Sequence, residues 1–153
     1  MQKEVTIIGA GPAGLFSSYL LLKKGLKVHL FDQESGVGKK FLVAGNGGLN
    51  LTHSEKRETF ISKYGKDELF FKQALEQFSP SDLRAFCENL GVETFIGSSG
   101  RVFPKELNAA QMLRSWLSVL NEDENFSLYL NHELINITKD LNVTFCHKKS
   151  QNS

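Results

Sequence analysis

The sequence has few residues that can cross-link a fold or interrupt its helices and strands. It contains two cysteines and three prolines among 153 residues. Cys87 and Cys146 lie far apart and form no CxxC pair, and no secretory cleavage pattern follows the N-terminus. A reduced, cytoplasmic setting is therefore expected, with both thiols buried as small apolar groups. Scarce proline together with twelve phenylalanines is typical of a packed globule and not of a linker.

The chain also lacks an excess of charge of either sign, because its net charge is only +1. A chain so balanced has no strong field for nucleic acid or for an anionic membrane, and neither partner is expected. His132 and His147 are isolated in the sequence, and no His/Cys/Asp cluster has metal-ligand spacing. Ser98 and Ser99 lack a G-x-S-x-G frame. The sequence therefore predicts no metal site and leaves the catalytic residues unknown, so any chemistry would come from a cofactor.

What the chain does have is a glycine motif between two apolar segments. Residues 5–8 read as a strand, Gly9-x-Gly11-x-x-Gly14 follows, and a helix pattern leads to a second strand. That strand ends at Asp32, eighteen residues after Gly14. In a dinucleotide site the first glycine permits the tight turn, the second lets the backbone approach a pyrophosphate, and the third lets helix and strand pack closely. The acid can then bind ribose hydroxyls.

Two alternatives compete with this interpretation. Residues 5–22 are mostly apolar, as in a membrane or secretory segment, but three glycines and Pro12 interrupt them. The dinucleotide could be NAD instead of FAD, since both motifs share the same physics. Pro12-Ala13 within the turn, at the extreme N-terminus, favours the flavoprotein version.

A second glycine-rich block spans residues 34–54. It is either a flexible surface loop or an ordered loop that lines a planar ligand. Its apolar run at 41–43 and its compact amide and hydroxyl side chains favour the ordered alternative. Lys39 and Lys40 could neutralise phosphates or simply be solvated, and spacing alone does not decide between the two.

The rest of the chain predicts helices and short strands. Helices are expected over 67–78, after a Ser79–Asp82 start, and after Asn108, where Met112 and Trp116 should lie in the core. Strands are expected at 92–95, 101–103, 126–130, 133–138 and 143–146.

The two glycine blocks together resemble the BaiN/YhiN-type bacterial flavoproteins, predicted NAD(P)/FAD-dependent oxidoreductases whose wider family includes an aminoacetone oxidase. The similar segments are Gly38-Lys39-Lys40-Phe41, then Ala44-Gly45-Asn46-Gly47-Gly48-Leu49-Asn50-Leu51-Thr52-His53, and Gly100-Arg101-Val102-Phe103-Pro104. Lys39 stands where the family usually has arginine, which removes a bidentate fork.

The resemblance implies FAD as cofactor, with NAD(P)H as a possible electron donor, and it implies a set of binding residues. It places the turn at the pyrophosphate, the end of the second strand at the ribose and the paired lysines at the cofactor. It places the second block beside the flavin, and one backbone position, at the end of a third strand, at the adenine. These residues are, in the same order, Gly9, Ala10, Gly11, Pro12, Ala13 and Gly14; Asp32 and Gln33; Lys39 and Lys40; Gly47, Gly48, Asn50, Leu51 and Thr52; and Leu134.

The expected fold class is α/β, a Rossmann-like FAD-binding βαβ unit with helical and short-strand additions on an incomplete parallel sheet. Family members are longer, so residues 1–153 are expected to be the N-terminal part of the FAD-binding domain, without the substrate domain or the C-terminal segment that closes over the flavin. The expected function is the FAD-binding portion of an oxidoreductase acting on a small organic substrate, with little turnover alone. A nicotinamide-binding module, or a non-catalytic remnant that needs the missing C-terminal region as its partner, remains open.

Overall fold

A computed structural model describes residues 3–45, 48–106 and 108–148. The chain forms two compact units, one made of residues 1–43 and 116–153 and the other of residues 44–115. In chain order the elements are β1 (Glu4–Ile8), α1 (Pro12–Leu22), β2 (Lys27–Phe31), α2 (Lys39–Ala44), β3 (Thr52–His53), α3 (Arg57–Ser62), a 3-10 turn (Gly65–Asp67), α4 (Glu68–Gln77), α5 (Pro80–Asn89), β4 (Thr94–Ile96), β5 (Arg101–Pro104), α6 (Ala109–Asn121), β6 (Phe126–Tyr129), β7 (His132–Ile137) and β8 (Val143–His147).

The first unit is built on a parallel sheet in the order β1-β2-β6. Val5 pairs with Val28, and Val28 pairs with Phe126 on the other side of the central strand. Val28 and Leu30 are fully buried, as is Leu15 of the crossover helix α1. Parallel neighbours joined by a helix form the βαβ unit of a Rossmann domain. The predicted α/β class and Rossmann-like unit are confirmed.

An antiparallel hairpin, β7–β8, follows the third parallel strand in the same unit. Phe145 of β8 stacks on Phe31 at the end of β2, with ring centroids 4.0 Å apart. Phe31 also stacks on Tyr129 of β6, at 4.5 Å. Stacked aromatic rings add stabilisation beyond the area they bury, so these contacts anchor the hairpin at the carboxyl end of the parallel sheet.

The second unit combines an antiparallel sheet, in the order β3-β5-β4, with helices α3 to α5. Ser79 begins α5 with a capping box, in which its hydroxyl accepts from the Asp82 amide and the Asp82 carboxylate accepts from the Ser79 amide. Phe86 and Cys87 of this helix are buried. Asn108 begins α6 through its side-chain oxygen, which accepts from the amides of Ala110 and Gln111. Both caps and both helices match the sequence prediction.

Three features differ from the sequence-based expectations. Residues 39–44, expected as part of a glycine-rich loop, form the short helix α2, because the apolar run there contains no glycine. Cys146 is exposed and not buried, since it lies on the outer face of the hairpin, whereas Cys87 is fully buried. Leu134 lies inside β7, paired with Phe145, and the third parallel strand ends earlier, at Tyr129.

Within the described part of the chain, every helix is too short or too polar to cross a bilayer.

Candidate functional site

The glycine turn between β1 and α1 has the geometry that its sequence predicts. Gly9 has φ +102°, a left-handed conformation that side chains disfavour. Its amide donates to the Phe31 carbonyl over 2.7 Å, which joins the turn to the end of β2. A Cβ at Gly14 would lie 1.9 Å from the Gly9 carbonyl oxygen and 3.4 Å from Leu30 Cδ1. Gly9 thus permits the turn, and Gly14 permits close packing of helix on strand.

Gly11 has a different environment, because a Cβ built there would meet nothing within 4 Å. Its φ of −80° is open to any residue, so neither packing nor backbone conformation requires glycine at this position. Gly11 is also the N-cap of α1, and it supplies no side-chain cap to the helix. The first turn of α1 contains no acidic residue and has Pro12 at its start. The positive end of the helix dipole is therefore free of any side-chain anion of its own.

Asp32 lies at the carboxyl end of β2 and binds the turn through its side chain. Its Oδ2 accepts from the Ala10 amide at 2.6 Å, and its Oδ1 accepts from the Glu34 amide at 2.8 Å. Each carboxylate oxygen can accept a second hydrogen bond, so the half-buried side chain retains acceptor capacity toward hydroxyls. The adjacent Gln33 is exposed.

The two predicted lysines enter the same region through Gly38. The Gly38 amide donates to the Ala10 carbonyl over 2.9 Å, with φ +63°, so the loop after Asp32 folds back onto the glycine turn. Lys39 and Lys40 then begin α2, and both are exposed. Lys39 forms an ion pair with Glu34. This exposed pair contributes little stability, so an incoming phosphate could compete for the ammonium at small cost.

Leu134 is placed by the hairpin at the same end of the sheet. The ladder between β7 and β8 is irregular between Leu134 and Asn136, so that Ile135 is an extra residue on its strand. Such a bulge locally disrupts pairing and redirects the strand. Leu134 pairs with Phe145, whose ring stacks on Phe31, the residue before Asp32.

The remaining predicted cofactor residues belong to the second unit. Gly48 has φ +123° and donates its amide to the Gly45 carbonyl over 3.2 Å. Leu51 donates to the Val102 carbonyl over 2.8 Å, and Thr52 pairs with Val102 in the β3–β5 ladder. Asn50 is exposed. Gly47 lies outside the described residues, and the prediction that this block runs beside a flavin stays a prediction.

His53 holds this block to the neighbouring strand turn. Its Nε2 bonds with the Ser99 carbonyl at 3.0 Å, and its Nδ1 accepts from the Glu55 amide at 3.1 Å. Gly100 has φ +80°, which favours glycine, and a Cβ there would lie 2.6 Å from the imidazole, so a side chain at this position would displace the His53 ring. The ordered form of the second glycine block, one of the two sequence-based alternatives, agrees with this bonding.

Sequence reasoning missed two contributors to the site, Glu34 and Phe31, and it found only one role of Ala10. The sequence predicts Ala10 at a pyrophosphate, but in the structure its amide also binds Asp32 and its carbonyl binds Gly38. Glu34 was not singled out, although its amide and carboxylate both bind predicted site residues. Phe31 was assigned only to a strand. The sequence signal for Phe31 was its place directly before Asp32, at the end of β2. A side chain at a strand end contacts the segment that follows the neighbouring strand, here the hairpin after β6.

The first unit thus brings together four elements of an anion and sugar site. They are an open glycine position, an uncapped helix N-terminus, a carboxylate with spare acceptor capacity and exposed lysines beside the turn. Helix N-termini bind phosphates through free amides and the helix dipole. The arrangement suits a pyrophosphate joined to a ribose, the central portion of a dinucleotide, so the residues present fit such a cofactor.

Comparison with known proteins gives a consistent result. A family model described as the HI0933-like protein Rossmann domain matches residues 3–153. The 3-dehydro-bile acid delta(4,6)-reductase of Clostridium scindens is 29% identical over 114 residues, which cover 73% of this chain and 27% of the relative. The ribosomal RNA dihydrouridine synthase of Haemophilus influenzae is 33% identical over 103 residues, covering 67% of this chain and 25% of the relative. The chain thus spans about a quarter of the length of these relatives.

A solved structure shows the same fold. The open conformation of a flavocytochrome c3 fumarate reductase aligns with a TM-score of 0.56 at 16% identity, covering 90% of this chain and 28% of that one.

Proposed function

This chain belongs to the HI0933-like Rossmann domain family of FAD-binding oxidoreductases, and from that premise we propose that its first unit holds FAD through the glycine turn and Asp32. The turn residues from Gly9 to Gly14 would receive the pyrophosphate, and Asp32 would accept from the adenosine ribose hydroxyls. Lys39 and Lys40 would add positive charge beside the phosphates.

The observation that carries this proposal is the open space at Gly11. Packing explains Gly14, and backbone conformation explains Gly9, but neither explains glycine at position 11. An approaching pyrophosphate does explain it, because a Cβ there would occupy the ligand's path to the amides of α1. The absence of a side-chain cap on α1 agrees with this, since α5 and α6 both have one.

Bound FAD would supply hydride and electron transfer, while this chain's own residues would bind and orient it. The amides at the start of α1 would neutralise phosphate charge, and Asp32 would hold the ribose at a fixed distance from the turn, because the Ala10 amide already joins the two. Leu134 in the hairpin would offer its backbone to the adenine. The block from Gly47 to Thr52 would meet the flavin end.

We propose in addition the BaiN/YhiN-type branch of the family, on the two glycine-rich motifs and the similarity to the bile acid derivative reductase. The whole protein's activity would be the redox conversion of a small organic substrate, with NAD(P)H as electron donor, in the cytoplasm. The similarity to a ribosomal RNA dihydrouridine synthase suggests a nucleic acid as the alternative class of substrate. Charge balance favours the small molecule, because many basic side chains here, such as Lys27, Lys63 and Lys105, are paired with glutamates.

Activity of this chain alone is a separate proposal. The relatives are about four times longer, and most of their residues have no counterpart in this chain. The proposal is that a C-terminal region like the unaligned part of the relatives forms the substrate site and closes over the flavin. FAD would then bind weakly to the present residues, with little turnover.

The test is a titration of the protein with FAD, followed by quenching of flavin fluorescence, in the unmodified chain, Gly11→Ala and Gly36→Ala. Gly36 is the matched control, because a Cβ there also meets nothing and its backbone does not require glycine. We expect G11A to weaken FAD binding at least tenfold, about 1.4 kcal/mol, and G36A to bind normally. Equal FAD affinity in all three would refute the pyrophosphate assignment. Saturable binding of NADH without any binding of FAD would instead support the nicotinamide-binding module.

A further inference from the structure

Two histidines that are fifteen residues apart in the sequence meet across the β7–β8 hairpin. His132 and His147 are direct partners in the antiparallel register. Their ring centroids are 4.9 Å apart with an interplanar angle of 74°. The fold therefore creates a pair of imidazoles that the sequence spacing alone did not indicate.

The backbone hydrogen bonds show what kind of cross-strand pair this is. The Lys148 amide donates to the Asn131 carbonyl over 2.7 Å, one residue outside the pair on each strand. The His132 amide is used elsewhere, because it donates to the Asp32 carbonyl over 2.8 Å. His132 and His147 thus form a non-hydrogen-bonded pair, the type in which side chains of opposite strands come closest.

The protonation of His132 follows from its own hydrogen bond. Its Nδ1 lies 2.7 Å from the Leu130 carbonyl oxygen, which can only accept, so Nδ1 carries the proton. In the neutral ring Nε2 then has a free lone pair. A backbone carbonyl bound to one imidazole nitrogen is the arrangement that orients histidines whose other nitrogen binds a metal. Edge contacts with Tyr129 and Phe145 further restrict the ring.

We propose that His132 and His147 bind a divalent transition-metal ion, Zn²⁺, Ni²⁺ or Cu²⁺, across the open end of this hairpin. Imidazole suits these ions. Among the described residues no group of three or more His, Cys, Asp or Glu completes the set, so water takes the remaining positions. Cys146 precedes His147 in the strand and therefore faces the opposite side of the hairpin. Glu133, also on that side, is paired with Lys148 at 3.0 Å.

Metal binding would join β7 to β8 at the point where the hairpin leaves the sheet. The His132 amide binds the carbonyl of Asp32 at that point. A bridged hairpin would thus be held beside the strand end that carries the carboxylate. Because any ligand bound only by the folded state adds to stability, the site has a readout that needs no enzymatic activity.

The experiment measures the midpoint of thermal unfolding of the full chain with and without NiCl₂. Calorimetric titration with NiCl₂ measures the affinity for Ni²⁺. His147→Gln tests the site, because His147 is exposed and its replacement should not disturb folding. His29→Gln is the matched control, a histidine paired with Glu4 on another strand. Cys146→Ser tests the neighbouring thiol as the alternative ligand.

We expect Ni²⁺ to raise the midpoint of the unmodified chain, His29→Gln and Cys146→Ser, and H147Q to lose at least tenfold in Ni²⁺ affinity. The proposal is overturned if H147Q retains the affinity of the unmodified chain, if the unmodified chain does not bind Ni²⁺, or if Cys146→Ser alone abolishes binding.

Discussion

The carbonyl oxygen of Gly9 occupies the place where a side chain at Gly14 would begin, 1.9 Å from the position of the missing Cβ. No rotation of a side chain can relieve this approach, because the opposing atom belongs to the backbone. The first and last glycines of the motif therefore depend on each other: Gly9 makes the turn with φ +102°, and the turn then requires glycine at position 14.

Replacing Gly14 should test this relationship through stability. We expect Gly14→Ala to force α1 away from β1 and to lower the free energy of unfolding by about 1–3 kcal/mol or more, the range for overpacked positions. Urea unfolding followed by circular dichroism measures the change. Gly36→Ala should stay close to the unmodified chain, since its Cβ would enter open space. Equal stability of the two variants would show that the turn relaxes freely.

Asp32 should affect stability and cofactor binding together. In Asp32→Asn one carboxylate oxygen becomes an NH₂ group, which would face the amide of Ala10 or Glu34 where a hydrogen bond now exists. We expect a loss of about 1–2 kcal/mol in unfolding free energy and at least tenfold weaker FAD binding. Asp140→Asn, at an exposed position in the described hairpin turn, is the control and should change neither quantity. FAD binding that survives D32N would remove Asp32 from the ribose assignment.

The capping box of α5 should give a pH-dependent contribution to stability. Hydrogen bonds from the Ser79 hydroxyl and then its amide hold the pKa of Asp82 below its ordinary value of 3.8. Because the folded-state pKa is the lower one, the contribution is complete above the ordinary value and is lost as the pH falls through the folded pKa. Ser79→Ala should therefore cost about 1 kcal/mol near neutral pH, and its difference from the unmodified chain should shrink below pH 3.8.

The measurement for this prediction is the urea midpoint of both proteins between neutral and acid pH. Ser17→Ala, at an exposed position of α1, serves as the control, because its difference from the unmodified chain should not vary with pH. A Ser79→Ala difference that is constant across the range would contradict the role of the Asp82 carboxylate.

The two thiols should differ sharply in reactivity. Burial raises the pKa of Cys87 to about 11, with a smaller contribution from the nearby Glu88 carboxylate. Since thiolate is the reactive form, Cys87 should react with Ellman's reagent only after unfolding, whereas the exposed Cys146 should react at once. The native chain should thus show one fast thiol, and Cys146→Ser should show none. A fast thiol that remains in Cys146→Ser would mean that α5 opens readily.

Local chemistry explains which elements the sequence could predict. The glycine motif, the capping box at Ser79 and the cap at Asn108 each depend on residues a few positions apart, and each was found where the pattern indicated. The parallel strands β1 and β2 followed from apolar runs around one helix pattern, whereas the third parallel strand, β6, was expected only as one of several later strands. The match of a family model to residues 3–153 confirms the Rossmann-domain flavoprotein family, the coarser part of the resemblance, and the BaiN/YhiN branch stays a prediction.

The remaining features depend on residues that are distant in the sequence. The Asp32–Ala10 bond joins positions 22 residues apart, and the Phe31–Phe145 stack joins β2 to a hairpin more than a hundred residues later. Exposure of Cys146 depended on which face of that hairpin packs, and the pairing of Lys39 depended on how the loop returns to Ala10. A sequence pattern does not predict such pairings, because it shows the periodicity of a single element and not the register in which two elements pair.

The sequence by itself determined the βαβ unit and its nucleotide motif, since glycine, proline and apolar spacing act on the backbone within a turn or two. Only the tertiary structure decided the division into two compact units, the acceptor geometry of Asp32 and the meeting of His132 with His147. Those outcomes result from strand register and packing, in which a shift of one residue would turn every side chain to the opposite face.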